Sequence, residues 1–176
     1  MISKMFEQEV KIPKERVAIL VGTKGVMKRF LQRKTKTKLT ISREGDVIIA
    51  GKENIDVFDA VPIIKAIGRG FNPDIAIMLL DETFAFELIS LKDFARNDKD
   101  MVRVRSRLIG TNGKARHMLE KLTGLFISVQ GKTVCLIGKI DDMAIGMRAM
   151  EKLLKGAPHG NVYKFIETEK ERVLRE

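Results

Sequence analysis

The spacing between apolar residues changes several times up to residue 67. Each spacing is typical of a short strand or of a helix, and together they predict a sequence of such elements. From residue 6 to residue 12 the apolar positions share one parity, which is typical of a half-buried strand. Two helical stripes follow on either side of a glycine-containing break, formed by Val17, Leu20, Val21, Met27, Phe30 and Leu31. Leu39–Ser42 and Val47–Ala50 are predicted strands around a turn, and Glu53–Ile67 is the closing helix. Pro62 lies inside that helix, so we expect a kink or a delayed start.

The same order recurs in the second half of the chain, shifted by 88 residues, which is the separation of Gly22 from Gly110. Matched positions carry the same residue: Leu20 and Leu108, Thr23 and Thr111, Gly25 and Gly113, Leu31 and Leu119, Thr35 and Thr123. The shift becomes 87 after the hairpin turn, where a one-residue difference is best tolerated. The chain is therefore predicted to contain two α+β domains, each with the order β-α-α-β-β-α. Each domain is expected to be a three-stranded antiparallel sheet backed by helices.

Segments outside the two copies are short. Pro73 can begin a short helix through Leu80, and Gly156–Gly160 is a predicted loop before a charged helix at Asn161–Glu176. The predicted boundaries are residues 1–69 for the first domain, 70–81 for a linker with a short helix, 82–156 for the second domain and 157–176 for the charged C-terminal helix.

Basic residues are concentrated in two blocks that contain no acidic residue. The chain of 176 residues has a formal net charge of +10, which favours a polyanionic partner such as nucleic acid or an anionic membrane. Nine basic residues lie in Arg16–Arg43 and five in Arg103–Arg116. Each block contains one glycine loop, which favours a nucleic-acid surface over a merely soluble basic face. No membrane span is expected, since the longest apolar run, Ile75–Leu80, is far too short for one.

Residues that could support catalysis or bind a metal are few. One cysteine, Cys135, and two histidines cannot form a structural zinc site. A single cysteine also excludes an intramolecular disulfide and favours an intracellular, cytoplasmic setting. The paired acids at 81–82 and 141–142 fall near turns or helix starts, where acids are ordinary. Gly110–Lys114 is not a P-loop, because Leu108 stands where that motif needs glycine. We therefore expect no enzyme, no cofactor and no metal.

Two glycine loops stand at the predicted helix–helix corners, Gly22-Thr23-Lys24-Gly25 and Gly110-Thr111-Asn112-Gly113. Glycine lets a phosphate approach the main chain, and the next helix begins there with free N–H groups and the positive end of its dipole. A GxxG loop between two helices is a signature of the KH domain, where it clamps about four nucleotides of single-stranded backbone. The alternative to RNA binding is that each loop is only a corner between two helices and binds no ligand. The candidate RNA-binding residues are Gly22, Thr23, Lys24, Gly25, Lys28, Arg29, Ile109, Gly110, Thr111, Asn112, Gly113, Lys114 and Arg116.

The cysteine and the histidines each have a structural explanation. Cys135 lies within a predicted strand and is expected to pack in the core. His159 lies in a loop and has no partner visible in the sequence. His117 follows the second loop by four residues and either touches RNA or lies on an exposed helical face.

Two longer runs carry a closer resemblance to a known family. Ala66–Pro73 joins the copies, and Arg107–Arg116 holds the second loop within the KH pattern aliphatic-Ile-Gly-x-x-Gly-basic. With the repeat, these runs make nearly the whole chain resemble archaeal tandem-KH ribosome-assembly proteins, whose eukaryotic relatives are called "partner of Nob one". The resemblance implies two type I KH domains that bind single-stranded RNA at the 3′ end region of small-subunit rRNA. It also implies partnership with the endonuclease that trims that end and with the alpha subunit of the second translation initiation factor.

Two hypotheses follow from these observations. The leading one is a non-catalytic adaptor that binds single-stranded RNA during ribosome maturation. The alternative is a mixed interaction module, in which the second domain binds RNA and the first docks a protein. The loops are unequal: Leu108–Lys114 fits the family pattern better, while the first loop lies in the denser basic block.

Overall fold

Residues 5–175, the part of the chain that the computed structural model describes, form two units that meet in sequence between Glu82 and Thr83. Each unit has its own three-stranded antiparallel sheet, and its last strand takes the middle position. The predicted α+β fold with two copies of β-α-α-β-β-α is therefore confirmed.

In the first unit, the alternating apolar residues form the sheet and the helical stripes cover it. The elements are β1 (Phe6–Lys11), α1 (Lys14–Val21), α2 (Val26–Thr35), β2 (Lys38–Ile41), β3 (Asp46–Gly51), α3 (Asn54–Gly68) and α4 (Pro73–Ala76). The strand order is β1-β3-β2, which places Val10 opposite Val47 and Leu39 opposite Ile49. Along β3, Val47 and Ile49 are buried but Ile48 is exposed, so one face of the sheet holds the core.

Pro62 does not delay the closing helix of this unit, contrary to one of the two expected effects. The helix α3 begins at Asn54 and runs through Pro62 to Gly68. Proline removes the N–H that would bond the carbonyl of Phe58. Because Phe58 lies on the exposed side of α3, water can reach that carbonyl instead. The inner side of the helix keeps its packing, and Ile67 is fully buried.

The second unit repeats the arrangement and extends it at the end. Its elements are β4 (Phe84–Ser90), α5 (Asp98–Ile109), α6 (Lys114–Thr123), β5 (Phe126–Gln130), β6 (Thr133–Lys139), α7 (Ile140–Leu154) and α8 (His159–Arg175). The strand order is β4-β6-β5, and the central strand β6 is buried along nearly all of its length. Asn97 caps α5, because its side-chain oxygen accepts the N–H of Asp100 at 2.9 Å.

The helix α8 completes the core of the second unit. It starts two residues before the predicted charged helix, and its inner side chains Val162 and Ile166 are fully buried in the same core as Ile145 of α7. Lys170 Nζ lies 2.7 Å from Asp142 Oδ1 near the start of α7, so α8 follows α7 back over most of its length. The sequence indicated a charged helix and did not reveal that one side of it belongs to the core.

The counterpart of α8 in the first unit is much shorter. After α4 the chain makes one 3₁₀ turn, Ile77–Leu80, and then leaves for β4. Ala76 N–H donates to Asn72 O, as Val162 N–H donates to Pro158 O, so the two helices begin in the same way. Both contact the last helix of their copy, α4 with α3 and α8 with α7. No helix within residues 5–175 is long and apolar enough to cross a membrane.

Candidate nucleic-acid interface

The first glycine loop is a sharp corner between α1 and α2. Gly22, Lys24 and Gly25 have positive φ angles of 71°, 51° and 73°. Gly22 N–H donates to Ala18 O at 2.9 Å, and Gly25 N–H donates to Gly22 O at 3.0 Å. These bonds end α1 and close the turn, and they leave Thr23 and Lys24 exposed at its tip.

The second loop has the same backbone between α5 and α6. Gly110, Asn112 and Gly113 have φ angles of 72°, 53° and 75°. Gly110 N–H donates to Ser106 O at 2.8 Å, and Gly113 N–H donates to Gly110 O at 3.3 Å. Thr111 and Asn112 are exposed at the tip. The two candidate loops are therefore equivalent in conformation, although only half of their central residues are identical.

The first glycine of each loop is required by the packing of the following helix. A Cβ atom on Gly22 would lie 2.7 Å from Met27 Cβ, and one on Gly110 would lie 2.7 Å from Ala115 Cβ. By contrast, a Cβ atom on Gly113 would meet nothing within 4 Å. The first glycine thus lets the two helices meet. The last glycine of the second loop faces open space, whereas a Cβ atom on Gly25 would lie 3.2 Å from Arg29 Nη1.

The helix after each loop begins without a side-chain cap. Gly25 precedes α2 and Gly113 precedes α6, and neither offers a side chain to the first N–H groups. Uncapped N–H groups and the positive end of the helix dipole attract anions. Val26 N–H and Lys114 N–H donate to Thr23 O and Thr111 O, and no side chain caps either helix, so each corner presents the positive end of its helix dipole to an anion.

Cations surround the first loop unevenly. Lys24 extends from the tip, and Lys28 is half-buried one turn into α2. Arg29 folds back on the loop, where its Nη1 donates to Lys24 O at 2.9 Å. The first residue of α2 is an exposed apolar one, Val26. The positive charge of this loop is thus at its tip and along α2.

The charge near the second loop is shifted to the start of the helix. Asn112 replaces the lysine at the tip, and Lys114 takes the place of Val26. Lys114, Arg116 and His117 are all exposed on α6, while Ile109 is half-buried at the end of α5. His117 therefore lies on an exposed helical face, and contact with RNA remains a prediction for it.

A groove wall runs from each loop along the following helix to the neighbouring strand. Gln32 Oε1 accepts the N–H of Leu39 at 2.8 Å, which ties α2 to β2. Glu120 Oε1 accepts the N–H of Ile127 at 2.9 Å, which ties α6 to β5 in the same way. Sequence reasoning did not single out either residue. The offset of 88 pairs Gln32 with Glu120 and would have found them.

A shallow depression marks this wall in the first unit. It has a volume of about 390 Å³ and is lined by Val26, Arg29, Gln32 and Arg33. An apolar side chain, two guanidinium groups and one amide therefore lie together, directly after the loop. Such a surface suits a base beside its own phosphate.

Two arginines of the basic blocks point away from the loops. Arg16 Nε and Nη2 donate to Ile67 O and Phe71 O, both at 2.7 Å, and cap the C-terminal end of α3. Burial lowers the pKa of this guanidinium. Arg107 caps the C-terminal end of α7 in the same way, because its Nε donates to Leu153 O at 3.1 Å and its Nη2 donates to Ala157 O. The cations of the basic blocks therefore do not all lie beside the glycine loops.

His159, which the sequence left without a partner, has one in the structure. Its Nε2 lies 2.9 Å from Arg107 O, and its ring lies edge-on to Tyr163 with centroids 6.1 Å apart. Cys135 is fully buried in β6, as expected for core packing. Within the described part of the chain, no cluster of three or more histidine, cysteine or acidic residues could hold a metal ion.

Two KH family models match the chain. A model described as "Eukaryotic type KH-domain (KH-domain type I)" matches residues 85–171, and one described as "KH domain" matches residues 7–66. The first match extends into α8, which agrees with the burial of that helix in the second unit.

Proteins of both archaea and eukaryotes are similar to this chain. A KH domain-containing protein of Methanocaldococcus jannaschii is 41% identical over 170 residues, which are 94% of this chain and 75% of that protein. The pre-rRNA-processing protein pno1 of Aspergillus fumigatus is 31% identical over 104 residues, which are 57% of this chain. The aligned part is 41% of the fungal protein. Of these two proteins, it is the archaeal one whose similarity extends over nearly the whole of this chain.

A solved structure shares the fold over nearly the whole length. The crystal structure of the a/eIF2alpha-aDim2p-rRNA complex from Pyrococcus horikoshii contains a chain that matches with a TM-score of 0.88 and 42% identity. The match covers 96% of this chain and 96% of that one. Both KH copies are therefore present, in the same order, in a protein of known structure.

Proposed function

The chain belongs to the tandem KH-domain family of archaeal Dim2p and the eukaryotic pre-rRNA-processing protein pno1, and on this premise we propose that it is an RNA-binding adaptor. It binds single-stranded RNA at the 3′ end region of small-subunit rRNA during ribosome maturation. It has no catalytic role there.

One observation carries this proposal: two loops with the same backbone each lead into a helix whose N-terminus no side chain caps. Phosphates of single-stranded RNA meet these helix ends. The bases then lie along the walls formed by α2 with β2 and by α6 with β5. The presence of rRNA in the complex of the Pyrococcus relative supports this choice of RNA.

A charge test on the second loop examines the proposal. The double substitution of Thr111→Asp and Asn112→Asp puts two carboxylates where the phosphate is expected, and the affinity for a small-subunit 3′ end oligonucleotide should fall at least about tenfold. The matched control is Asn161→Asp with Thr168→Asp, two exposed positions of α8 with the same residue types. Fluorescence anisotropy measures the affinity, and thermal unfolding checks the fold. Equal affinity of the two double variants would refute the role of the loop.

The salt dependence separates RNA binding from protein docking. The affinity should fall with rising salt, with a log–log slope of about −0.7 for each phosphate contacted. A flat salt response in the wild-type chain would contradict phosphate recognition.

A second candidate function has an observation of its own. On α3, Ile55 and Phe58 are 61% and 71% exposed. From Asn54 to Gly68 the offset to α7 is 86, so Phe58 corresponds to Ala144 and Ile55 to Asp141, which are both exposed. The exposed pair of large apolar side chains on α3 therefore has no counterpart at the equivalent positions of α7. Glu53, Asp56 and Asp59 lie beside the exposed pair, so the surface is acidic in a basic protein.

This face suits a protein partner better than RNA, since its carboxylates repel phosphate. The complex of the Pyrococcus relative contains a/eIF2alpha, which supports docking of the alpha subunit of that initiation factor here. The substitutions Ile55→Ser and Phe58→Ser should then weaken binding of that subunit about tenfold or more and leave RNA affinity unchanged. Val102→Ser, at a 61% exposed apolar position of α5, is the control. Unchanged binding in the Ile55/Phe58 variant would remove this candidate.

The rRNA-trimming endonuclease is the other protein partner that the family implies. The same variants test it, in a pull-down with the purified nuclease. Loss of nuclease binding with retained a/eIF2alpha binding would assign the face to the nuclease.

A further inference from the structure

The two groove walls differ at one equivalent position, Gln32 on α2 and Glu120 on α6. In each side chain, one oxygen accepts a hydrogen bond from a strand N–H: Gln32 Oε1 from Leu39 at 2.8 Å and Glu120 Oε1 from Ile127 at 2.9 Å. A backbone N–H can only donate, so each side chain must turn an oxygen toward the strand. The remaining atom therefore has a fixed identity: an NH₂ group on Gln32 and a second carboxylate oxygen on Glu120.

Both remaining atoms are available to a ligand. Neither has a hydrogen-bond partner within residues 5–175, and neither is a buried polar atom without a partner, so both reach solvent. Gln32 lines the depression with Val26 and Arg29, directly after the first loop. Glu120 is half-buried at the matching place after the second loop. The strand bond holds each side chain in place before any ligand arrives.

These two atoms have opposite hydrogen-bonding capacity. The NH₂ group of Gln32 only donates, and the free oxygen of Glu120 only accepts and carries negative charge. Among the bases, adenine, cytosine and guanine each have an exocyclic amino group that can donate. Uracil has none, and its one ring donor, N3–H, lies between two carbonyl oxygens that would face the carboxylate.

We propose that Gln32 and Glu120 give the two grooves opposite base preferences. Glu120 accepts from the exocyclic amino group of a base and disfavours uracil at that nucleotide. Gln32 donates to a base carbonyl or ring nitrogen and tolerates uracil. The proposal rests on the proposed function, because it assumes that both grooves hold bases.

The exchange of the two residues tests this assignment in the full-length chain. The variants are Glu120→Gln, Gln32→Glu and the double exchange, and each keeps the side-chain oxygen that accepts the strand N–H. Competition binding with a set of oligonucleotides, each with uracil at one position, measures a uracil penalty for every nucleotide. In the wild type, one nucleotide should show a penalty of about tenfold, the size of a hydrogen bond to a charged group.

The expected result is a change in position-specific penalties. Glu120→Gln removes the penalty at its nucleotide, Gln32→Glu creates one at another nucleotide, and the double exchange moves the penalty from one groove to the other. A penalty pattern unchanged by Glu120→Gln and by Gln32→Glu overturns the assignment. A wild-type chain that does not bind these RNAs at all would instead overturn the proposed function. A uniform change in affinity at all positions would show a charge effect only and also contradict the assignment.

Discussion

The two units share the geometry of the glycine loop but differ in what covers the last helix of each copy. In the second unit α8 runs along α7 and buries Ile145, whereas in the first unit the chain leaves at Leu80 and the equivalent residue, Asp59, is only half-buried. The φ angles of the loops nevertheless agree within a few degrees. The loop depends on local contacts of its first glycine with the next helix, so the far side of the domain can change without altering the corner.

The largest expected effect tests the difference in cover. Ile145→Asp buries a charge under α8 and should destabilise the second unit by about 3 kcal/mol or more. Phe58→Asp, at an exposed position of α3, should change stability by less than about 1 kcal/mol. Urea denaturation of the two variants measures both values. Similar losses would mean that Phe58 is covered in solution.

A second comparison lies within one loop. Gly110→Ala introduces a Cβ atom 2.7 Å from Ala115 Cβ and keeps an unfavourable positive φ, so a loss of about 2 kcal/mol or more is expected. Gly113→Ala has the same φ problem but no clash, and should cost about 1 kcal/mol. Thermal unfolding of the full chain distinguishes them. Equal melting temperatures would contradict the packing role of the first glycine.

A third comparison separates the arginines that cap helices from the cations near the loops. Arg107→Ala should cost about 1–3 kcal/mol of stability, because the carbonyls of Leu153 and Ala157 lose their charged donor. It should leave the salt slope of RNA binding unchanged. Lys114→Ala should do the reverse and reduce that slope by about 0.7. If Arg107→Ala lowers the slope as well, the arginine contacts RNA.

The smallest effect concerns the tips of the loops. Asparagine tolerates the left-handed conformation better than lysine, and Lys24 and Asn112 share it. Lys24→Asn should therefore stabilise the first unit by a few tenths of a kcal/mol, at the cost of one cation near the phosphate. Asn112→Lys should instead destabilise the second unit slightly and add one cation near the phosphate. Denaturation measures the change in stability of the two variants, and salt titration of RNA binding measures the change in phosphate attraction. Changes of the same sign in both variants would contradict the equivalence of the two loop tips.

The order of elements was predictable because spacing alone encodes it. Apolar parity marked the strands, the 88-residue repeat fixed two copies, and glycines placed the corners at Gly22 and Gly110. Each of these signals is present in the order of residues along the chain, so tertiary packing did not have to be known.

The direction of individual charged side chains could not be predicted in the same way. Arg16 and Lys24 belong to one basic block, yet one caps α3 and the other extends from the loop. A charge count does not distinguish these roles, because capping depends on a helix end 51 residues away in the sequence. The inner side of α8 was missed for a related reason: its many lysines and glutamates concealed the spacing of Val162 and Ile166.

The different lengths of the two tails affect the order of events during synthesis. The first unit ends at Glu82, so it can close while the second copy is still being translated. The second core waits for residues as late as Ile166, which must return to α7 after the whole KH order has been made. One candidate loop is therefore formed before the other exists, and the nascent chain acquires its two candidate RNA-binding surfaces in sequence.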